Sequence, residues 1–116
     1  MFKVFAFLTK KEGLAMEAFI DNYEHKHVPL ICSLAPMPKL YKRRYLVRDQ
    51  ALTQSGGAVD FDVMTELEFV DQTAFQAWMT RLSEPGIGEQ VATDEARFLD
   101  RSRTRAYMVD ERVTAG

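Results

Sequence analysis

The order in which hydrophobic spacing changes along this chain constrains its fold more than any other feature. Apolar residues recur every second position, then every three to four, then every second position twice more, then at helical spacing, and finally as a strand again. The alternation is clearest over Asp60–Phe69. Phe61, Val63, Thr65, Leu67 and Phe69 fall on one face, and Asp60, Asp62, Met64, Glu66 and Glu68 on the other. Phe2–Thr9 is apolar on both faces, with Phe2, Val4, Ala6 and Leu8 opposed to Phe5 and Phe7, which predicts a central strand or a covered sheet. Leu40–Arg48 and Thr104–Val109 complete the predicted strands.

Between them, Leu14 to about Ala35 reads as a helix with the stripe Met16, Phe19, Ile20, Tyr23 and His27. Pro29 must kink that helix or restart it. Asp71 predicts the N-cap of a second helix over Thr73–Leu82, with apolar face Phe75, Trp78, Met79 and Leu82. Pro85-Gly86-Ile87-Gly88 breaks it, and Glu89–Asp100 adds a short helical turn or two. The β-α-β-β-α-β order predicts an α+β, ferredoxin-like fold: a four-stranded antiparallel sheet with both helices on one face.

Such a sheet leaves one face uncovered, and here it carries Phe5 and Phe7. Aromatic rings do not stay in water by preference, so a homodimer joined through its sheet faces is expected. With 116 residues the chain is expected to form one domain over 1–116. A net charge of -2 argues against nucleic acid or an anionic membrane as partner. No apolar run reaches membrane-spanning length, Met1–Thr9 makes a poor signal peptide, and the lone Cys32 has no disulfide partner. These features lead to the expectation of a cytoplasmic protein. Asp49–Ala58, with Thr53-Gln54-Ser55-Gly56-Gly57, reads as a long loop and a candidate lid.

Chemistry concentrates in Phe19–Leu30, which holds both histidines. His27 lies on the apolar stripe and faces inward, where an imidazole is suited to moving protons near neutral pH. The competing reading is a core histidine beside a helix break. His25 sits about 200° further round a helix and is expected in solvent. The His-x-His pair therefore makes no metal site, and no other Cys, His and Asp cluster supplies one. Asp62 and Glu66 share a strand face and could hold a substrate hydroxyl, orient His27, or pair with Arg43 or Arg44. Tyr41 and Tyr107 each offer a phenol on a strand; for these and for Trp78 the competing role is packing. Arg97, Asp100 and Arg101 read as surface pairs. Neither a glycine-rich phosphate loop nor a nucleophile elbow is present, which argues against nucleotide chemistry.

The series Phe19-x-x-x-Tyr23-x-x-x-His27-Val28-Pro29-Leu30, Pro38-x-Leu40-Tyr41, Phe61–Phe69 and Asp94-Glu95-Ala96-Arg97-Phe98-Leu99-Asp100 resembles the EthD-like group of the dimeric α+β barrel superfamily. The resemblance implies a βαββαβ protomer that dimerises through its sheets and holds a pocket for a small apolar or aromatic ligand. It also implies one of several chemistries. The first expectation is a cofactor-independent lyase, decarboxylating or dehydrating a hydroxylated aromatic or polyketide-like molecule. Its alternatives are an oxidoreductase or monooxygenase of aromatic or ether catabolism, with haem as one variant, and a non-catalytic binder of a hydrophobic metabolite. On the lyase reading His27, Tyr23 and Asp62 are the catalytic candidates, and Tyr41, Phe19, Glu66, Tyr107 and Trp78 the substrate-binding ones. The chain departs from the group pattern by Tyr23 in place of Trp and by the extra His25.

Overall fold

The strand with two apolar faces takes the middle of the sheet. β1 (Phe2–Leu8) pairs on one side with β3 (Val63–Phe69) and on the other with β4 (Arg105–Met108), while β2 (Leu40–Tyr45) lies beyond β3. The order is β2-β3-β1-β4 and every pairing is antiparallel. The computed structural model describes residues 1–52 and 56–116. The expected α+β, ferredoxin-like sheet is therefore present, and the proposed lid falls partly outside the described residues, at 53–55.

One long helical segment follows β1: α1 (Met16–Asn22), a π turn (Tyr23–His27) and α2 (Val28–Leu34). After β3 come α3 (Gln72–Leu82) and α4 (Ile87–Glu95). Asp71 caps α3 as predicted, its carboxylate accepting the Ala74 N–H at 2.8 Å. The segment expected to hold only a turn or two is a full helix, α4. The core lies between these helices and one sheet face, where Leu8 and Val63 meet Phe19, Tyr23, Phe98 and Leu99.

β2 and β3 each fall three residues short of their sequence pattern, for one reason. β2 stops at Tyr45 because Arg48 turns to grip Asp62, with Nη2 at 3.0 Å from Oδ1, and the Phe61 carbonyl at 2.5 Å. β3 starts only at Val63 because Asp62 bends to accept the Lys10 N–H at 2.8 Å. The alternation fails at that bend. Phe61 packs its ring 5.0 Å from Phe7, on the face away from the helices, and Asp62 is buried.

A histidine–aspartate pair at a candidate active site

The π turn sets the direction of His27. Phe19, Tyr23, His27 and Ile31 are all buried, at a constant step of four. On a regular α-helix each such step overshoots a full turn by about 40°, and the row would drift off the sheet. A wider turn takes up that drift. Its signature is the Val28 N–H, which reaches back to the Tyr23 carbonyl. Pro29 follows directly, in the first turn of α2, where its missing N–H is tolerated. The helix continues through the proline instead of stopping at it.

His27 is 5 % exposed and Asp94, on α4, is 4 % exposed. Their side chains meet at 2.6 Å, Nδ1 to Oδ2. A carboxylate only accepts, so Nδ1 carries the hydrogen and Nε2 is the ring nitrogen left for another partner. No described residue bonds to Nε2. The Tyr23 ring stands edge-on to the imidazole, 5.2 Å between centroids at 86°, and Phe98 packs against it, also at 5.2 Å. The ring is thereby fixed in place and tautomer.

His27 forms part of the wall of a pocket of ≈ 450 Å³. Ile31, Tyr41, Trp78, Met79, Leu82 and Val91 make that wall largely apolar. Glu95 and Arg101 also line it, joined by a 3.1 Å bond from Arg101 Nε. The Trp78 indole Nε1 is buried without a partner among the described residues. Such a pocket, apolar with a few polar groups, is of the kind that small organic ligands occupy.

Phenols underlie the histidine. The Tyr23 hydroxyl lies 2.6 Å from the Thr65 hydroxyl of β3. Burial pushes the Tyr23 phenol up, an effect that Thr65 partly offsets. Burial raises Tyr41 further, and the neighbouring Tyr23 phenol adds to it. Both rings are kept neutral and able to donate. Glu24, also in the π turn, takes two bonds from Arg43, at 2.5 and 2.9 Å, and one from the Tyr45 hydroxyl at 2.5 Å. The Arg43 pairing holds the Glu24 carboxyl below the usual range against a smaller upward push from burial.

The structure brings together part of the predicted set. His27, Tyr41 and Trp78 line one pocket, Tyr23 braces the imidazole, and Phe19 sits behind it, fully enclosed in the core. His25 is exposed. Three candidates lie elsewhere. Asp62 is committed to Arg48 and the Lys10 N–H and makes no bond to His27, whose carboxylate is Asp94. Glu66 faces away from the helices and pairs with Lys3 and Arg44, each at 2.9 Å. Tyr107 is on that same face, opposite Phe5 and beside Phe7, and is 62 % exposed. A sheet separates Glu66 and Tyr107 from the pocket because side chains alternate faces along a strand. Asp94 was legible in principle: it interrupts an apolar row, Ile87, Val91, Asp94, Phe98, at steps of four and three. A carboxyl group in such a row needs a buried partner. Among the described residues no group of three or more His, Cys, Asp and Glu side chains converges as a metal set. Among the described residues no helix is long and apolar enough to cross a membrane.

Known proteins place this geometry in context. No curated protein matches the chain by sequence. Solved structures match over nearly its whole length. An EthD-family protein from Bacillus halodurans C-125 has 20% identity and a TM-score of 0.63, covering 97% of this chain and 100% of that one. The Arabidopsis thaliana protein At3g17210 has 16% identity and a TM-score of 0.64, with 99% of each chain covered. A dimeric ferredoxin-like protein of unknown function from Thermobifida fusca has 15% identity and a TM-score of 0.52, covering 93% of this chain and 88% of that one. These likenesses establish the fold. The EthD domain family model matches residues 11–102, from the turn after β1 to the residues just before β4, and includes both His27 and Asp94: the chain belongs to the EthD domain family.

Proposed function

We propose that the chain is a small enzyme that moves a proton on a hydroxylated aromatic or polyketide-like molecule, with His27 as its acid–base and the uncovered sheet faces joined in a homodimer. The observation that carries this reading is the buried His27–Asp94 bond beside an apolar pocket. Asp94 orients the imidazole and stabilises the imidazolium that forms when Nε2 takes a proton. On this reading Tyr41, a neutral phenol that lines the pocket and also meets the Tyr23 hydroxyl, would donate to a substrate oxygen.

The favoured reaction is a lyase step. In a decarboxylation the electrons of the breaking C–C bond stay on the substrate carbon as CO2 leaves, and the protonated imidazole delivers a proton to that carbon. In a dehydration the imidazole removes a proton from carbon, the electrons form a double bond, and the hydroxyl departs as water after protonation. Either step is acid–base work at one nitrogen.

The test compares wild type with His27→Ala on a panel of hydroxylated aromatic acids and polyketide-like aldols, scoring CO2 or water loss. Loss of about a hundred- to ten-thousand-fold in a folded variant is expected. A folded His27→Ala protein with full activity overturns the reading. Saturable binding without turnover by wild type replaces it with a carrier role.

A further inference from the structure

The pocket holds one guanidinium. Arg101 begins the short helical turn Arg101–Arg103 ahead of β4 and lines the pocket wall with Glu95, its side chain 54 % exposed at the pocket's edge. Glu95 takes only the Nε edge, at 3.1 Å. The terminal nitrogens Nη1 and Nη2 have no partner among the described residues. A guanidinium gripped on one edge presents the other as a planar fork, the shape that matches a carboxylate. The remaining wall is chiefly apolar, so an anion attached to a hydrocarbon body satisfies both parts of the site at once. A singly charged group suits it better than a doubly charged phosphate, since Glu95 repels added negative charge.

We infer that Arg101 is a specificity-determining residue that takes the carboxylate of an aromatic acid, with the ring lying on Trp78, Met79 and Leu82. The assignment rests on the pocket of the proposed function, and it gives that pocket's ligand a charge. Glu95 acts through Arg101 as a positioning residue. It holds the guanidinium at the pocket wall.

The experiment is a calorimetric titration with 6-hydroxy-2-naphthoate and its uncharged analogue 6-hydroxy-2-naphthamide, on wild type, Arg101→Gln and Arg101→Lys. Wild type is expected to favour the carboxylate by about fivefold, the scale of a solvent-accessible ion pair. Arg101→Gln should remove that preference by weakening the carboxylate several-fold more than the amide. Arg101→Lys should keep part of it, having the charge without the fork. Wild-type protein that shows no preference, or binds neither compound, overturns the inference, as does an equal loss for both compounds in Arg101→Gln. Turnover is scored separately. A missing preference with His27-dependent turnover leaves the acid–base reading standing, and a clear preference without turnover leaves this one.

Discussion

His27 Nδ1 and Asp94 Oδ2 lie 2.6 Å apart although 67 positions separate them in the chain. The bond joins the π turn to α4 and leaves only Nε2 of the imidazole free for a ligand. Replacing Asp94 by Asn puts an N–H donor where an acceptor stood and permits the other tautomer. Nitrogen NMR of the imidazole should show a protonated Nδ1 in neutral wild type and a mixture in Asp94→Asn. Turnover should fall on the order of a hundredfold. The His27→Ala, Asp94→Asn double variant should be no worse than His27→Ala alone, because the two residues act as a unit.

Thr65 bears on stability in a way that can be separated from chemistry. Thr65→Val removes the hydroxyl paired with buried Tyr23. With the Tyr41 phenol still beside it, Tyr23 loses one partner, and about 1 kcal/mol of stability should go. Tyr23→Phe in the same background should recover part of the loss, since the Tyr23–Thr65 pair is then removed whole, and the recovery stays partial because the buried Tyr41 phenol also meets the Tyr23 hydroxyl. Urea melts of the two single variants and the double variant decide it.

The Glu24–Arg43 pair predicts an acid-side dependence. The Glu24 carboxyl titrates lower in the folded protein than in the unfolded chain. Its contribution is therefore complete above the ordinary glutamate range and is lost as pH falls through the lower folded value. Wild type should lose urea resistance over that interval faster than Glu24→Gln, and the two curves should run parallel at neutral pH. Curves parallel throughout would remove Glu24 from the account of acid sensitivity.

A dimer through the uncovered sheet faces would bury Phe5, Phe7 and Tyr107 together. Tyr107→Asp places a charge on that face at an exposed position, so the protomer should fold normally. Sedimentation velocity should show wild type as a dimer and the variant shifted toward monomer. An unchanged dimer would move the interface elsewhere.

Much of the architecture is legible in the sequence because periodicity is a local property. The two-residue alternation of Val63–Phe69 and the stripe ending at His27 both survive folding. What escapes is decided at a distance. The pattern over Asp60–Phe69 runs without a break in sequence, yet Arg48 and Lys10 capture Asp62 and end the strand there. Glu66 and Tyr107 belong to proper strands, but their place depends on which face the helices cover. Asp94 belongs to the site through a contact between two helices, and only its position within an apolar row hints at it.

The π turn has a consequence for how the protein comes apart. Within five residues, Glu24 is tied to β2, Tyr23 to β3 and His27 to α4. A fluctuation that frees the imidazole must cut all of these ties, or else carry the edge strand, an inner strand and a helix along with it. Sub-global opening is therefore an expensive route to the pocket. The Val28 amide, bonded to the Tyr23 carbonyl at the centre of the junction, should exchange its hydrogen only with the slowest class in the molecule. The integrity of the site should therefore be lost in the same event as the fold itself.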